Sequence, residues 1–148
     1  FNHCTDNKGQ YGTAFFTKIR PLKVIKNIDC LEEEGRAITA IFEHFILVLS
    51  YSPTLGLDIL GKVSKEERRK IYDEKMQQHL VSVKRDFGKP IIFTGDLNCC
   101  HEIDDVWDRE MINTEFPSCT QQERSRLRDM IKKVGLTDNS GPNKNDEK

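Results

Sequence analysis

The sequence predicts an α/β domain with a mixed sheet, because β-rich runs and amphipathic helical runs share one chain of 148 residues. The first half contains several extended runs, and two of them are separated by only two residues, as in a β-hairpin. In the second half, helical runs come before and after one short apolar run. Hairpins combined with helices on both sides of a strand favour layered packing over strict βαβ alternation.

The first half is predicted to be mostly extended. Residues 1–10 are polar and predict a loop, and the β-rich residues that follow predict strands. Glu43 and His44 are predicted to connect the two central strands as a hairpin, although this pair lacks the preferred Asn-Gly turn chemistry. The predicted strands are 12–19, a strand that begins at 22, 37–42 and 45–51.

The second half is predicted to hold two helices with a strand between them. Ser64-Lys65-Glu66-Glu67 and Thr120-Gln121-Gln122-Glu123 both have the form of a capping box, which opens a helix. Gly88 and Gly135 are placed to end these helices. The apolar stripes that would face the sheet are Tyr72, Met76, Leu80, Val83 and Phe87 in the first helix, and Leu127, Met130, Ile131 and Val134 in the second.

The run from Pro90 into Gly95-Asp96-Leu97-Asn98 predicts a strand that is buried on both faces. In an extended chain Asp96 and Asn98 would project together while Leu97 points back into the core. Gly95 lets a ligand or a neighbouring backbone approach closely. A carboxylate beside a carboxamide suits Mg²⁺ or a water directed at phosphorus. The alternative interpretation is a turn that closes the strand, with Asn98 as a cap.

Composition narrows the classes of function. A net charge of −1 gives no global positive field, so contact with a polyanion would need a local patch or a metal. No apolar run approaches the roughly 20 residues that span a bilayer, so we expect no membrane contact. Five cysteines, two of them adjacent, make a poor disulfide framework and favour a reducing intracellular compartment with free thiols over a zinc site.

Six short motifs occur in order along most of the chain, from about Tyr11 to Gly135. They are Lys8-Gly9 before Tyr11-Gly12-Thr13-Ala14, Lys18 through Pro21-Leu22, Glu34-Gly35-Arg36, Tyr51-Ser52-Pro53, Gly95-Asp96-Leu97-Asn98 with His101, and Thr120-Gln121-Gln122-Glu123-Arg124. In this order they resemble the exonuclease III / apurinic–apyrimidinic endonuclease family of the endonuclease–exonuclease–phosphatase superfamily. The Gly-Asp-Leu-Asn motif alone also fits phosphatases and deadenylases of that superfamily.

The resemblance implies a partial four-layer α/β/β/α sandwich of the DNase I-like type, with N- and C-terminal strands missing. It implies an incomplete domain over 1–137, and the polar composition of 138–148 predicts a disordered tail. It further implies Mg²⁺-dependent cleavage, with Mn²⁺ as an alternative ion, of double-stranded DNA on the 5′ side of abasic sites. The resemblance also implies a 3′–5′ exonuclease activity and a monomeric state. We expect a nuclear location in a eukaryote and a cytoplasmic location in a prokaryote.

Three positions match the catalytic residues of the family. Asp96 matches the aspartate that activates or orients the attacking water. Asn98 matches the asparagine that steadies the water and the phosphate, and both residues are candidate metal ligands. Tyr51 matches a tyrosine whose hydroxyl contacts a phosphate oxygen. Other site residues of the family come from strands before and after this region, so we expect the 148 residues alone to be inactive or nearly so.

Several polar residues have competing interpretations. Arg36 is predicted to pair with Glu34 as scaffold rather than to face the cleft, and His101 to be a structural loop residue. Glu123 and Arg124 are predicted to be helix-capping and surface charges. Acidic residues in the loop 103–116 oppose contact with DNA phosphates, which keeps open weak DNA affinity or a different phosphodiester substrate. The alternatives are a phosphatase or an RNA-directed nuclease of the same superfamily, or a catalytically inactive truncated remnant.

Overall fold

The structure, a computed structural model, describes residues 1–5, 9–55 and 65–139. These residues form one mixed sheet, with neighbouring strands antiparallel except for the last, parallel pair. Two α-helices pack against each other, and the longer one is the crossover that makes the last pair parallel. The sheet order is β1 (Lys23–Lys26), β2 (Ala37–Ile41), β3 (Ile46–Tyr51) and β4 (Ile91–Asp96), and the helices are α1 (Lys65–Phe87) and α2 (Gln121–Val134).

The predicted hairpin is confirmed as β2 and β3, the two central strands of the described sheet. The Phe42 N–H donates to the Phe45 carbonyl at 2.9 Å, and the two rings stack with centroids 4.7 Å apart. The connecting Glu43 and His44 are exposed. The contacts between Phe42 and Phe45 therefore stabilise the hairpin turn, although Glu43 and His44 are not preferred turn residues.

The core lies between the sheet and the helices. Ile46 and Val48 of β3 are fully buried against Met76 and Leu80 of α1, and Met130 of α2 closes the same cluster. Each buried aliphatic side chain stabilises the fold by about 1.5–3 kcal/mol relative to exposure. This apolar layer fixes the helices on one face of the sheet, so the loops at the carboxyl ends of β3 and β4 meet α1 and α2.

The predicted helix boundaries are largely confirmed. Thr120 accepts a hydrogen bond from the Glu123 N–H at 3.2 Å and donates to Glu123 Oε2 at 2.7 Å, as a capping box requires. Gly88 and Gly135 follow α1 and α2 with φ of +62° and +69°, the left-handed conformation that ends helices. Ser64, the predicted cap of α1, lies outside the described residues.

The prediction of a strand over 12–19 is wrong. Only Thr13 pairs there, in a two-bond bridge to Asn2 with N···O distances of 2.8 Å. Tyr11 and Gly12 have φ of +56° and +104°, so the chain is not extended where the predicted strand begins. Phe16 is 86% exposed, which removes the packing that would favour a strand at this position.

The prediction that β4 is buried on both faces is also wrong within the described residues. Ile91 and Phe93 pack towards the core, but Ile92 is 49% exposed and Thr94 is exposed. The reason is positional, because β4 is the outer strand of the described sheet and the helices cover only one face.

The proposed division into 1–137 and a tail of 138–148 stays a prediction, since 140–148 lie outside the described residues. The motif residue Lys8 also lies outside them. No described helix has the length and hydropathy needed to cross a bilayer.

Candidate active site

The parallel pairing of β3 with β4 brings two of the predicted catalytic residues together. Tyr51 and Asp96 are direct partners in the strand register, so their side chains leave the same face of the sheet from neighbouring strands, about 4.8 Å apart. The Ser52 N–H donates to the Asp96 carbonyl at 2.9 Å, which extends this pairing by one more bond. Tyr51 is half-buried and Asp96 is exposed, so both are accessible to a ligand.

Asn98 lies beside Asp96, but not for the reason that strand alternation suggested. The strand ends at Asp96, and Asn98 has a left-handed backbone with φ of +45°. The Asn98 N–H donates to Asp96 Oδ1 at 3.1 Å, and Asn98 Nδ2 donates to the Ser52 carbonyl at 2.8 Å. A tight turn therefore places the carboxylate and the amide side by side, and ties both to the chain that follows Tyr51. The expectation of an extended chain through Asn98 is wrong.

The alternative interpretation of this motif as a local turn is thus correct for the backbone. It does not exclude a catalytic role, because Asp96 Oδ2 and Asn98 Oδ1 are not used in the turn contacts described above. Asn98 uses one side-chain N–H to fix its own orientation, as expected for a group that must present its remaining polar atoms in one direction.

A guanidinium lies between two tyrosine rings next to this pair. Arg36 Cζ is 4.1 Å from the ring centroid of Tyr11 and 4.9 Å from that of Tyr51. Arg36 Nη1 donates to the Tyr51 carbonyl at 3.0 Å, and its Nε donates to Glu34 at 2.5 Å. Arg68 donates to the other oxygen of Glu34. Two guanidinium groups and one carboxylate give this cluster a formal charge of +1, which favours an anion beside Tyr51.

The scaffold interpretation of Arg36 is confirmed, since its side chain is only 4% exposed and is paired with Glu34. Its cation–π contacts also limit the tilt of the Tyr51 ring. Sequence reasoning missed Tyr11, which it assigned to a motif without a role. The ring of Tyr11 lies 6.4 Å from that of Tyr51. No periodic signal could have placed them together, because the segment that carries Tyr11 is irregular.

The structural role predicted for His101 is confirmed, whereas the surface position predicted for Glu123 and Arg124 is wrong. His101 Nδ1 lies 2.5 Å from Asp138 Oδ2, and the His101 carbonyl accepts a bond from Arg124 at 3.1 Å. Glu123 caps α2 as predicted, but it is fully buried, and Arg124 is 5% exposed. The first turn of α2 packs beneath the loop that follows Asn98, and this contact buries both charges.

Sequence reasoning also missed Arg69, which is 2% exposed and bonds to the Leu97 and Asn98 carbonyls, both at 2.9 Å. A signal was present, because Arg69 precedes Tyr72 and Met76 by three and seven residues and so lies on the apolar stripe of α1. A charged residue at a stripe position indicates a buried polar partner.

The thiol that follows Asn98 is unsuited to nucleophilic chemistry. Burial raises the pKa of Cys99 to about 12, so this thiol stays protonated near neutral pH. Burial likewise raises the pKa of Cys30 to about 11. The five cysteines are free thiols.

A cleft of about 1250 Å³ runs along β4, and Asp96 and Asn98 border one part of it. Ile91, Phe93 and Leu127 are among its lining residues, whereas Tyr51 is not. Its lining also includes the carboxylates of Asp105 and Asp108, which repel a phosphate group. The neighbouring Tyr51 and Asp96 side chains, beside the positive cluster of Arg36, Arg68 and Glu34, are therefore the better candidate for phosphate contact.

The described residues offer few ligands for a metal ion. Within 1–5, 9–55 and 65–139, no group of three or more His, Cys, Asp or Glu side chains is placed to hold one. Asp96 and Asn98 supply two adjacent oxygen donors. Mg²⁺ commonly takes one or two carboxylates and completes its shell with water and substrate phosphate. The pair therefore fits part of a Mg²⁺ shell, and it does not form a closed protein site.

Comparison with known proteins gives consistent relatives. No family model matches the chain. The chain is 33% identical over 147 residues to the DNA-(apurinic or apyrimidinic site) endonuclease of Arabidopsis thaliana, covering 86% of the chain and 39% of that protein. It is 31% identical over 135 residues to the DNA repair nuclease APEX1 of Danio rerio, covering 90% of the chain and 41% of that protein. The chain thus spans about two fifths of the length of these relatives.

Solved structures show the same fold at lower identity. An AP endonuclease from Archaeoglobus fulgidus matches 76% of the chain and 42% of its own length, with TM-score 0.62 and 21% identity. The 3′–5′ exonuclease NExo from Neisseria meningitidis matches 76% of the chain and 43% of its own length, with TM-score 0.62 and 18% identity. NExo from Neisseria, as a 3′ phosphatase bound to a product DNA hairpin, matches with TM-score 0.59 and 16% identity, over 76% of this chain and 43% of that one. The predicted DNase I-like α/β fold is confirmed.

Proposed function

Because this chain belongs to the exonuclease III / apurinic–apyrimidinic endonuclease family, we propose that it forms part of a nuclease that repairs DNA. The protein that contains it hydrolyses the phosphodiester on the 5′ side of abasic sites in double-stranded DNA and removes 3′-terminal nucleotides. We further propose that it acts as a monomer, in the nucleus of a eukaryotic cell or the cytoplasm of a prokaryotic one.

One observation carries the proposal, namely the register that pairs Tyr51 with Asp96. Hydrolysis of a phosphodiester needs a base or orienting group on one side of phosphorus and hydrogen-bond donors directed at its oxygens. Adjacent strands supply these groups here from a rigid sheet, and the turn after β4 places Asn98 next to Asp96. The relatives named above supply the substrate class, because they are enzymes named for abasic-site cleavage and DNA repair.

Each group has a distinct role in this proposal. Asp96 Oδ1 is engaged by the Asn98 N–H, so Oδ2 is assigned to orient the attacking water and to accept its proton. The Tyr51 hydroxyl donates to a non-bridging phosphate oxygen as negative charge develops there. The Asn98 amide donates to the same phosphate or to the water. The +1 cluster of Arg36, Arg68 and Glu34 stabilises the anion from behind the Tyr51 ring.

Mg²⁺, with Mn²⁺ as an alternative, would be held by Asp96 and Asn98 together with ligands from water and substrate. When bound, the ion would supply Lewis-acid stabilisation of negative charge on the phosphate. Two protein ligands make a weak site, so the proposal includes low affinity for the free ion and tighter binding in the presence of DNA. It also includes little or no activity from the 148 residues alone.

A second candidate is a phosphatase, or a nuclease acting on RNA, that uses the same residues. The loop after Asn98 favours the phosphatase, because Asp104, Asp108 and Glu110 are exposed there and would repel a long nucleic acid lying across them. A substrate with its reactive phosphate at a chain end avoids this repulsion.

An incision assay on duplex DNA with one abasic analogue tests the proposal, using the complete gene product that contains this chain. We expect cutting with Mg²⁺, none with EDTA, and a loss of several orders of magnitude in rate for Asp96→Asn. The matched control is Asp86→Asn, the same change at an exposed residue near the end of α1 that pairs with Arg85. If Asp96→Asn cuts as fast as the parent, the role of Asp96 is wrong, and if only a terminal phosphate or RNA is cleaved, the second candidate replaces the first.

A further inference from the structure

Arg69 of α1 bonds to the chain that follows both β3 and β4. Arg69 Nη1 donates to the Pro53 carbonyl at 2.7 Å, two residues after Tyr51. The same guanidinium donates to the Leu97 and Asn98 carbonyls, both at 2.9 Å, in the turn that follows Asp96. Three backbone carbonyls from two separate loops thus share one side chain.

Those carbonyls need a donor at this position. The left-handed backbone of Asn98 ends the ladder of β4, so the Leu97 and Asn98 carbonyls have no strand partner and turn towards α1. A buried carbonyl without a partner costs about 1–3 kcal/mol. A guanidinium offers five N–H groups in one plane, whereas a lysine ammonium offers three on a single nitrogen, too few for the three carbonyls and the Asp73 carboxylate together.

The charge of Arg69 is compensated within the protein. Its Nε donates to both oxygens of Asp73, at 2.9 and 3.1 Å, and Arg126 donates to the same carboxylate at 2.9 Å. Glu123, which caps α2 and is fully buried, lies with Oε1 3.9 Å from Arg69 Nη1. Two cations and two carboxylates thus balance, and the guanidinium is held from three sides with its side chain only 3% exposed.

We infer that Arg69 is a positioning residue that sets the placement of Tyr51 relative to Asp96 and Asn98. This inference rests on the proposed function and adds to it a residue that contacts no substrate. The loops after β3 and β4 are joined to each other through the Ser52–Asp96 and Asn98–Ser52 bonds, and Arg69 holds this joined pair against α1 and α2. Its removal should shift the turn at Asn98 and leave the hydrophobic core in place.

The test compares Arg69→Lys with Arg126→Lys, which makes the same change in the same charge network at a residue that donates to Asp73. Amide hydrogen exchange of Asn98 reports the turn directly, because that N–H donates to Asp96. We expect Arg69→Lys to speed this exchange by about tenfold or more, with the amides of β2 unchanged, and Arg126→Lys to leave both near the parent values. Equal exchange at Asn98 in the two variants would overturn the inference.

Incision by the complete gene product supplies the second measurement, at a temperature where far-UV circular dichroism shows each variant fully folded. We expect Arg69→Lys to lower kcat by about 100-fold with KM little changed, since a small misplacement of reacting groups costs rate rather than binding. A rise in KM at constant kcat would contradict a positioning role. If the parent does not cut DNA, the proposed function fails, and the exchange of Asn98 still decides whether Arg69 positions the turn.

Should Arg69→Lys fail to fold, Asp73→Asn serves in its place. This change weakens the anchor of the guanidinium while keeping every donor to the three carbonyls. Asp73 contacts both arginines, whereas Arg126→Lys alters only the contact between Asp73 and Arg126. We therefore expect the Asn98 amide to exchange faster in Asp73→Asn than in Arg126→Lys. Identical exchange in Asp73→Asn and Arg126→Lys would overturn the inference.

Discussion

Adding one methyl group at Gly95 should damage the site more than its size suggests. Gly95 lies in β4 opposite Ser50, one residue before Asp96, with φ of +130°. A Cβ built there would lie 2.1 Å from the Ser50 carbonyl oxygen and 3.0 Å from the Ser50 nitrogen and carbonyl carbon. All three atoms belong to the backbone, so no side chain can move aside.

The magnitude follows from this geometry. Contacts under 3.0 Å are essentially never made by real Cβ atoms, so β4 must move away from β3 by about 0.9 Å, from 2.1 to 3.0 Å. The left-handed φ costs an alanine about 1–3 kcal/mol. Overpacking adds about 1–3 kcal/mol. The Gly95→Ala change should therefore lower the free energy of unfolding by about 2–6 kcal/mol, a large part of the roughly 5–15 kcal/mol of a typical domain.

Gly88→Ala is the matched control for this experiment. Gly88 also has a left-handed φ, of +62°, but a Cβ there would meet no atom within 4 Å. It should cost only the conformational part, about 1–3 kcal/mol. Urea unfolding followed by far-UV circular dichroism measures both, because Trp107 is fully exposed and its fluorescence would report folding poorly. Equal losses in the two variants would refute the claim that the Ser50 backbone excludes a side chain at Gly95.

Two further predictions concern stability. Thr120→Ala should lower the free energy of unfolding by about 1 kcal/mol, because Thr120 caps α2 through the Glu123 N–H, whereas Thr120→Ser should retain most of it; equal losses in urea would contradict the capping role. Burial lowers the pKa of His79, whose Nε2 lies 2.7 Å from the Thr39 hydroxyl. As the pH falls, the unfolded chain therefore protonates His79 at a higher pH than the folded chain does. The stability that neutral His79 contributes is present above about pH 6.5 and is lost as the pH falls below that value towards the lowered pKa of the folded state. In urea titrations, the difference in the free energy of unfolding between pH 7.5 and pH 5.5 should be smaller for His79→Gln than for the parent. An equal difference in the two proteins would contradict this role of His79.

The elements that rest on local chemistry could be predicted from the sequence. The capping box at Thr120 and the stop at Gly88 are set by residues within one turn of the helix. The central hairpin follows from two apolar runs of matching length. The strand predicted over 12–19 does not form, because a β-rich segment becomes a strand only where a neighbouring strand pairs with it. The positive φ of Gly12 also interrupts the extended conformation at the start of this segment.

The candidate site was predictable in part. Asp96 and Asn98 are near each other in sequence, but a left-handed turn rather than strand alternation brings them together. Tyr51 and Asp96 are 45 residues apart in the sequence and come together only through the register between β3 and β4. No local sequence pattern fixes that register. The position of Arg69 on the apolar stripe of α1 indicates a buried polar partner, but its partners are backbone carbonyls, which carry no sequence signal.

The most direct test of the account is a double-mutant cycle between Tyr51 and Asp96 in single-turnover incision by the complete gene product. If a phosphate is held between the two side chains, removing either should disable the same step. The combined Tyr51→Phe and Asp96→Asn protein should then be little slower than Asp96→Asn alone. Rate losses that simply multiply would show that the two groups act independently, and would contradict a shared phosphate site at the ends of β3 and β4.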